Sequence, residues 1–230
     1  MRTNNYNVEK IVDYLENRGY TNFLNQQELS LVKGKLHKNQ YHIFELYEDC
    51  SKVILYKTNK PKIKLYKINN SSNVRHQDVL GAVFSLGINE DMFGDIFKYQ
   101  GDFYIFVMPM VEEYLKYNLI NIKNNNVTLE SVDLEISQHF KQEYIAKEII
   151  VSSLRIDNVV STLIHSNRND VLMKFKNKEI SLNYNTEIKP TRVLRENDVF
   201  SIKRVGKFKL CDIINNTKKG KYIVLILMYK

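Results

Sequence analysis

The stretch LRIDNVVSTLIHSNRNDVLMKFKNKEISLN, residues 154–183, places Arg155 and Arg168 where two helices should begin. A helix N-terminus carries unpaired N–H groups and about half a positive charge, so an arginine there is locally unfavourable unless an anion docks. Phosphate suits such a place, because it accepts the N–H groups and takes a bidentate guanidinium. The alternative is that both arginines are solvated or pair with Asp157 and Asp170. Ser152 or Ser153 is expected to cap the first helix. Asn167 should cap the second, with Asp170 three residues on in a capping-box-like arrangement. Ile156, Val159, Val160, Leu163 and Ile164 then form one apolar face, and Val171, Leu172 and Phe175 another, leaving Arg168, Lys174, Lys176 and Lys178 to solvent. Neither arginine belongs to an apolar face, so alanine at both positions is expected to leave folding intact.

The elements around these residues follow from periodicity. Val8, Ile11, Val12 and Leu15 recur at helical spacing up to Gly19, and Leu29, Val32 and Leu36 continue in a second helical segment. YHIFELYE (41–48) and KVILYK (52–57) read as two strands joined around Asp49. KIKLYKI (62–68) alternates as a strand. HQDVLGAVFSLGI (76–88) is helical, GDIFKY (94–99) and FYIFVM (103–108) are strands, VEEYLKYNL (111–119) is helical, and VTLESVDLE (127–135) alternates again. That order, β-α-β-β-α-β, is the order of a ferredoxin-like or RRM-like unit. HFKQEYIAKEIIV (139–151) reads as a bridging strand. EISLN (179–183), VFSIKRV (199–205), KFKLCDII (207–214) and KYIVLILMY (221–229) read as strands, with NNTKKG (215–220) as the last turn. The expected fold class is α+β in three parts: N-terminal helices and hairpin over 1–59, an RRM-like domain over 60–147, and a small α+β domain over 148–230.

Composition narrows the function classes. The 230 residues are 43% hydrophobic, enough for a real core. MRTNNYNVEK opens the chain without an apolar stretch, so no secretory signal is expected, and YIVLILMY is too short to span a bilayer. Cys50 and Cys211 lie far apart and suit a reducing cytosol. The net charge of +8 is unevenly placed: residues 151–230 hold 16 Lys and Arg against 7 Asp and Glu, and residues 1–150 hold 18 against 19. A basic excess confined to one segment points to a polyanion-binding module. A membrane surface ranks lower, since no segment is both amphipathic and lysine-rich.

Arg155-Ile156-Asp157, Asn167-Arg168 and Ile180-Ser181-Leu182-Asn183 together resemble the RNA-binding module named after ribosomal protein S-four. Its pattern opens the first helix with Arg-x-Asp and the second with Ser-Arg, and an apolar-x-apolar-Asn strand follows. Arg168, Val171 and Phe175 fall on its basic, small-apolar and large-apolar positions. Asn167 stands for Ser, Val171 for Ala, and Lys178 for a Gly suited to positive φ, so the turn before the strand is expected to be rearranged. HQDVLGAVFSLGI…GDI (76–96) is similar to the central signature of YlmH-type proteins, which place an RRM-like domain before a C-terminal S-four module. DVFSIKRVGKFKL (198–210) resembles that family's Ser-x-Arg-Gly-x-Gly-Arg-Phe ending, with Lys203, Arg204 and Lys207 in its Arg-Gly…Arg positions. The resemblance covers about residues 60–230. The family's Gly-Gly-Tyr…Glu-Arg segment is replaced by Leu46-Tyr47-Glu48-Asp49-Cys50-Ser51. The expected protein is cytoplasmic, monomeric and non-catalytic, without cofactor or metal, and what the resemblance implies is ribosome association. Its partners would be ribosomal RNA and tRNA on the large ribosomal subunit when translation stalls; a cell-division link has also been suggested for the family. Contacts to structured RNA are expected from Arg155, Arg168, Lys174, Lys178, Lys203, Arg204, Lys207 and Lys209.

Other candidates read more simply. Asp78 or His76 should cap a helix rather than catalyse. Gly81, Gly87 and Gly94 lack phosphate-loop spacing and fit close helix packing and turns. Ser166 beside His165 does not form a nucleophile–base pair, because neighbours at a helix end do not face each other. Lys218-Lys219-Gly220-Lys221 lacks Walker spacing and fits a basic hairpin turn. On FYIFVMP, Phe103, Ile105 and Val107 share one face and Tyr104 and Phe106 the other, which either stacks bases or is covered by the N-terminal segment; the covered reading is favoured. Two further classes stay open. An RNA-modifying enzyme would need a Gly-rich nucleotide loop or a larger catalytic domain, and neither is visible. An interaction scaffold would present the basic face to an acidic partner.

Overall fold

The computed structural model describes residues 2–37, 40–217 and 220–229, so the Lys218-Lys219 turn lies outside the described residues. The chain divides into two compact units, residues 1–141 and 142–230. In the first, α1 (Arg2–Arg18) ends at Gly19, whose φ of +79° suits glycine. Strand β1 (Leu24–Asn25) leads into α2 (Gln26–Lys33), capped reciprocally by Asn25 and Glu28. Strands β2 (His42–Glu45) and β3 (Lys52–Tyr56) pair antiparallel, with β1 on the other side of β3.

The four-stranded sheet of this unit comprises β4 (Lys64–Asn69), β5 (Phe93–Tyr99), β6 (Asp102–Val107) and β9 (Thr128–Val132), in the order β5-β6-β4-β9. Helix α3 (His76–Ser85) connects β4 to β5. Helix α4 (Pro109–Asn118) and the short pair β7 (Asn121–Ile122) and β8 (Asn125–Asn126) connect β6 to β9. Pro109 at the helix start pre-sets φ where its missing N–H costs nothing. Tyr66, Ile68, Phe103, Ile105 and Val107 pack with Val79, Val83 and Leu115 of the helices.

The opposite face is also buried. Leu65, Tyr104 and Phe106 share a core with Phe23, Leu46, Tyr47, Ile54 and Phe140. Tyr104 is 6% exposed and Phe106 0%. This is why FYIFV is apolar without interruption: a strand covered on both sides cannot alternate. Phe140 stacks on Phe97 (ring centroids 4.8 Å, interplanar 10°) and meets Tyr104 edge-on at 5.2 Å. Gly94 is required by this closure, since a Cβ there would stand 2.9 Å from atoms of Leu46, Phe106 and Phe23. Its role is sheet-to-segment contact rather than the helix packing or turn expected, whereas Gly87, at φ +74°, does lie in a turn. Gly81 has open space around it, so it does not mark close packing either.

The second unit is a six-stranded antiparallel sheet of order β10-β15-β14-β13-β11-β12. Its strands are β10 (Tyr144–Val151), β11 (Ile180–Leu182), β12 (Asn185–Thr186), β13 (Val199–Ile202), β14 (Gly206–Asn216) and β15 (Tyr222–Tyr229). β10 does more than bridge, because it pairs with β15 along its whole length, from Tyr144↔Tyr229 to Val151↔Tyr222. Helices α5 (Ile156–Leu163) and α6 (Arg168–Lys176) cover one face. Ile156, Val159, Val160, Leu163, Val171 and Phe175 meet Ile180, Phe200, Ile202, Phe208, Leu210, Val224 and Ile226 there. Leu172, expected in this core, is 36% exposed; Val171 and Phe175, four apart, already fill the inward stripe. Among the described residues no helix is long and apolar enough to cross a membrane, and no cluster of His, Cys, Asp or Glu is arranged to hold a metal.

Candidate nucleic-acid interface

Arg155 is itself the N-cap of α5, with no side-chain capping bond, so neither Ser152 nor Ser153 caps the helix. Its guanidinium turns to Asp157 instead. Nε donates to Oδ1 at 3.0 Å and an Nη to Oδ2 at 2.6 Å. This carboxylate holds the guanidinium more firmly protonated than usual. Asp157 is 5% exposed and also accepts from the N–H of Asn158 at 2.9 Å. The N–H groups at this helix start are already engaged: Ile156 donates to the Arg192 carbonyl (2.8 Å) and Asp157 to the Pro190 carbonyl (3.1 Å). The expectation that phosphate takes the backbone N–H groups of α5 is therefore corrected. So is the expectation that Arg155 can be removed without cost, because a buried carboxylate depends on it.

Helix α6 begins differently. Asn167 caps it by accepting from the N–H of Asp170 at 2.9 Å, as expected, while its Nδ2 donates to Asp170 Oδ2 at 2.7 Å. The N–H groups of Arg168 and Asn169 meet no acceptor among the described residues. Arg168 is 70% exposed along its side chain and lies 3.9 Å from Asp157 Oδ2. Arg155, Asp157, Asn158, Arg168, Ser153 and Ser161 line a cleft of about 200 Å³. Asn158 Oδ1 is buried in its wall without a hydrogen-bond partner among the described residues. The two arginines are thus brought together around Asp157, Arg155 held by two short hydrogen bonds and Arg168 only by a looser, largely exposed ion pair. The Arg155–Asp157 pair is the alternative that the sequence offered, whereas Asn158 in the wall was missed by sequence reasoning.

A second cationic group surrounds the end of the sheet where β11 begins and β13 ends. Lys174 Nζ donates to Glu179 Oε2 at 3.2 Å, and the N–H of Lys203 donates to the Glu179 carbonyl at 2.8 Å. Lys178 precedes that strand with φ +57°, and Arg204 sits in the β13–β14 turn with φ +66°. The turn expected to be rearranged by Lys178 is instead kept, with a lysine in the left-handed conformation that glycine adopts without strain. Lys207 and Lys209 lie apart from these residues. Their neighbours Phe208 and Leu210 face the helices, so alternation directs both lysines to the opposite face of the sheet. Lys207 Nζ lies 4.3 Å from the Tyr229 ring centroid and 4.9 Å from that of Tyr184.

Elsewhere, Asp78 Oδ2 accepts from the Arg75 N–H at 3.0 Å, the reciprocal bond of a cap. His76 contacts the Ile96 carbonyl at 3.1 Å, and burial lowers its basicity. Burial pushes the Cys50 thiol up to about 11, which leaves it unreactive.

The fold and this cleft define a class: an α+β chain that exposes arginine and lysine side chains on its second unit. Residues 57–136 match the family model described as "Putative RNA-binding domain in YlmH". The chain is 27% identical over 152 residues to "Ribosome-associated protein quality control protein P2" of Bacillus subtilis (strain 168), a match covering 66% of this chain and 59% of that protein. It is also similar to a solved structure, "Cell division protein ylmH from Streptococcus pneumoniae", at 21% identity with a TM-score of 0.47, covering 60% of this chain and 93% of that one. The match to the YlmH domain is confined to residues 57–136, and the chain spans about three-fifths of the length of that curated relative.

Proposed function

We propose that this chain is a non-catalytic, cytoplasmic RNA-binding protein whose residues 142–230 form an S-four-type module for structured RNA. Ribosomal RNA and tRNA of the large ribosomal subunit are the proposed targets, in ribosome-associated quality control. The relative's printed name supports the ribosomal part of this reading, as does the description of the matched domain. The first unit is assigned as RRM-like, supported by its β-α-β-β-α-β connectivity and the sheet order β5-β6-β4-β9. Its sheet face takes no part in base stacking, because Tyr104 and Phe106 are sealed beneath Phe140 and the N-terminal segment.

The observation that carries the proposal is the asymmetric arginine pair. Arg155 is already neutralised by Asp157, while Arg168, 70% exposed, stands beside two N–H groups at the start of α6. A phosphate seated there gains a charge-assisted bond and loses little, since the cleft is formed in advance. Lys174, Lys178, Lys203 and Arg204 extend the positive surface, and Lys207 and Lys209 are assigned to a separate contact on the other sheet face. Titration of labelled total tRNA into parent and Arg168→Ala protein at fixed salt tests the reading. A loss of about 10- to 150-fold is expected, equivalent to about 1.5–3 kcal/mol for one charge-assisted bond. Equal affinities would remove Arg168 from the interface.

A further inference from the structure

The first unit has no charge excess, yet four of its lysines fall within eight residues: Lys57, Lys60, Lys62 and Lys64, on the connector from β3 into β4. Burial alternates along it. Pro61, Ile63 and Leu65 are buried, while Lys60, Lys62 and Lys64 are exposed. The N–H of Ile63 donates to the Pro61 carbonyl at 3.0 Å, a three-residue turn that projects Lys62. The buried residues fasten the connector, and proline restricts its backbone further, so the backbone that carries the cations is fixed before any ligand arrives. Among the described residues Lys57, Lys60 and Lys62 form no ion pair, and Lys64 only approaches Glu112 at 4.0 Å.

Aromatic rings border this row. The β2–β3 register sets His42 opposite Tyr56 and Phe44 opposite Ile54, so the three rings share one face of the small sheet. The rings of His42 and Tyr56 are 5.3 Å apart, and Lys60 Nζ lies 5.5 Å from the Phe44 centroid. Lys57 directly follows Tyr56. An acidic protein would pair with the lysines and leave the rings unused, and a membrane would call for apolar side chains standing clear of the surface. A nucleic-acid strand uses both groups, phosphates on the cations and bases on the rings.

We propose that the 57–64 connector and the His42–Phe44–Tyr56 face form a second RNA contact, distinct from the helix-start cleft and from the sealed sheet face. The inference rests on the RNA-binding reading above, and it assigns the first unit a contact through its edge. Total tRNA titrated into the full chain at several salt concentrations tests it, with Lys57→Gln/Lys60→Gln/Lys62→Gln as the variant. The variant should melt like the parent, because all three side chains are exposed. Its slope of log affinity against log salt should be shallower by about 2–3, from about 0.7–0.9 per lost phosphate contact. Lys62→Gln alone should make it shallower by about one and serves if the triple variant is unstable. Parent-like affinity and slope in a folded variant overturn this inference and leave the cleft reading intact. If the parent shows no salt-dependent tRNA binding, both readings fail. If the variant loses only its binding to phosphatidylserine vesicles, the surface is a membrane contact and the inference is overturned.

Discussion

Asp157 sets the two arginines of the cleft apart, holding Arg155 closely and Arg168 only loosely. Its carboxylate accepts two bonds from Arg155 and one from the Asn158 N–H, all at 5% exposure. Asp157→Ala would leave a guanidinium and a backbone donor without their acceptor, and should cost about 1–3 kcal/mol, read as a lower denaturation midpoint. Arg155→Ala should also lower Tm, by stranding the buried carboxylate. Arg168→Ala, at an exposed position 3.9 Å from that carboxylate, should stay within about 0.5 kcal/mol of the parent. Thermal melting of the three variants checks the order. The Asn167 cap was legible because it is local, with donor and acceptor three residues apart. The fate of the α5 N–H groups was not, because Pro190 and Arg192 reach them from more than thirty residues away.

At the scale of elements, two turns hold strain in cationic residues. Lys178 and Arg204 occupy left-handed backbone at φ +57° and +66°. Such a conformation costs a non-glycine residue about 1–2 kcal/mol, part of which glycine gives back in chain entropy. Lys178→Gly/Arg204→Gly should therefore melt at the same temperature or higher while binding tRNA more weakly. A lower Tm would mean that the side chains support the turns. Asp78 gives a pH dependence. Hydrogen bonds from Arg75, then Lys123, hold its carboxyl below the usual aspartate range. That contribution is present above the ordinary aspartate pKa of about 4 and is lost as pH falls through the depressed folded value. The Tm gap between parent and Asp78→Asn should thus be full at pH 7 and shrink below about pH 4. Period-2 and helical spacing made most strands and helices legible to within a few residues. The extent of β10 was not legible, because its partner β15 lies at the far end of the chain.

Across the whole chain the charge divides with the units. Residues 1–141 hold 17 Lys and Arg against 17 Asp and Glu, and residues 142–230 hold 17 against 9. That imbalance was readable from sequence, and it singles out the unit that holds Arg155 and Arg168. A summed charge of zero, however, hid the lysine row at 57–64. The covered sheet face was one of two readings of FYIFVMP, and only the packing of Phe23, Tyr47 and Phe140 decides between them. Gly94→Ala should oppose that closure, because its Cβ would stand 2.9 Å from three neighbours, and should cost about 1–3 kcal/mol as overpacking does. The central claim, that an exposed cationic surface engages RNA phosphates, is tested most directly by the salt dependence of tRNA affinity for the intact chain. With four or more phosphate contacts, log affinity should fall against log salt with a slope of about −3 or steeper. A nearly flat response would contradict the account.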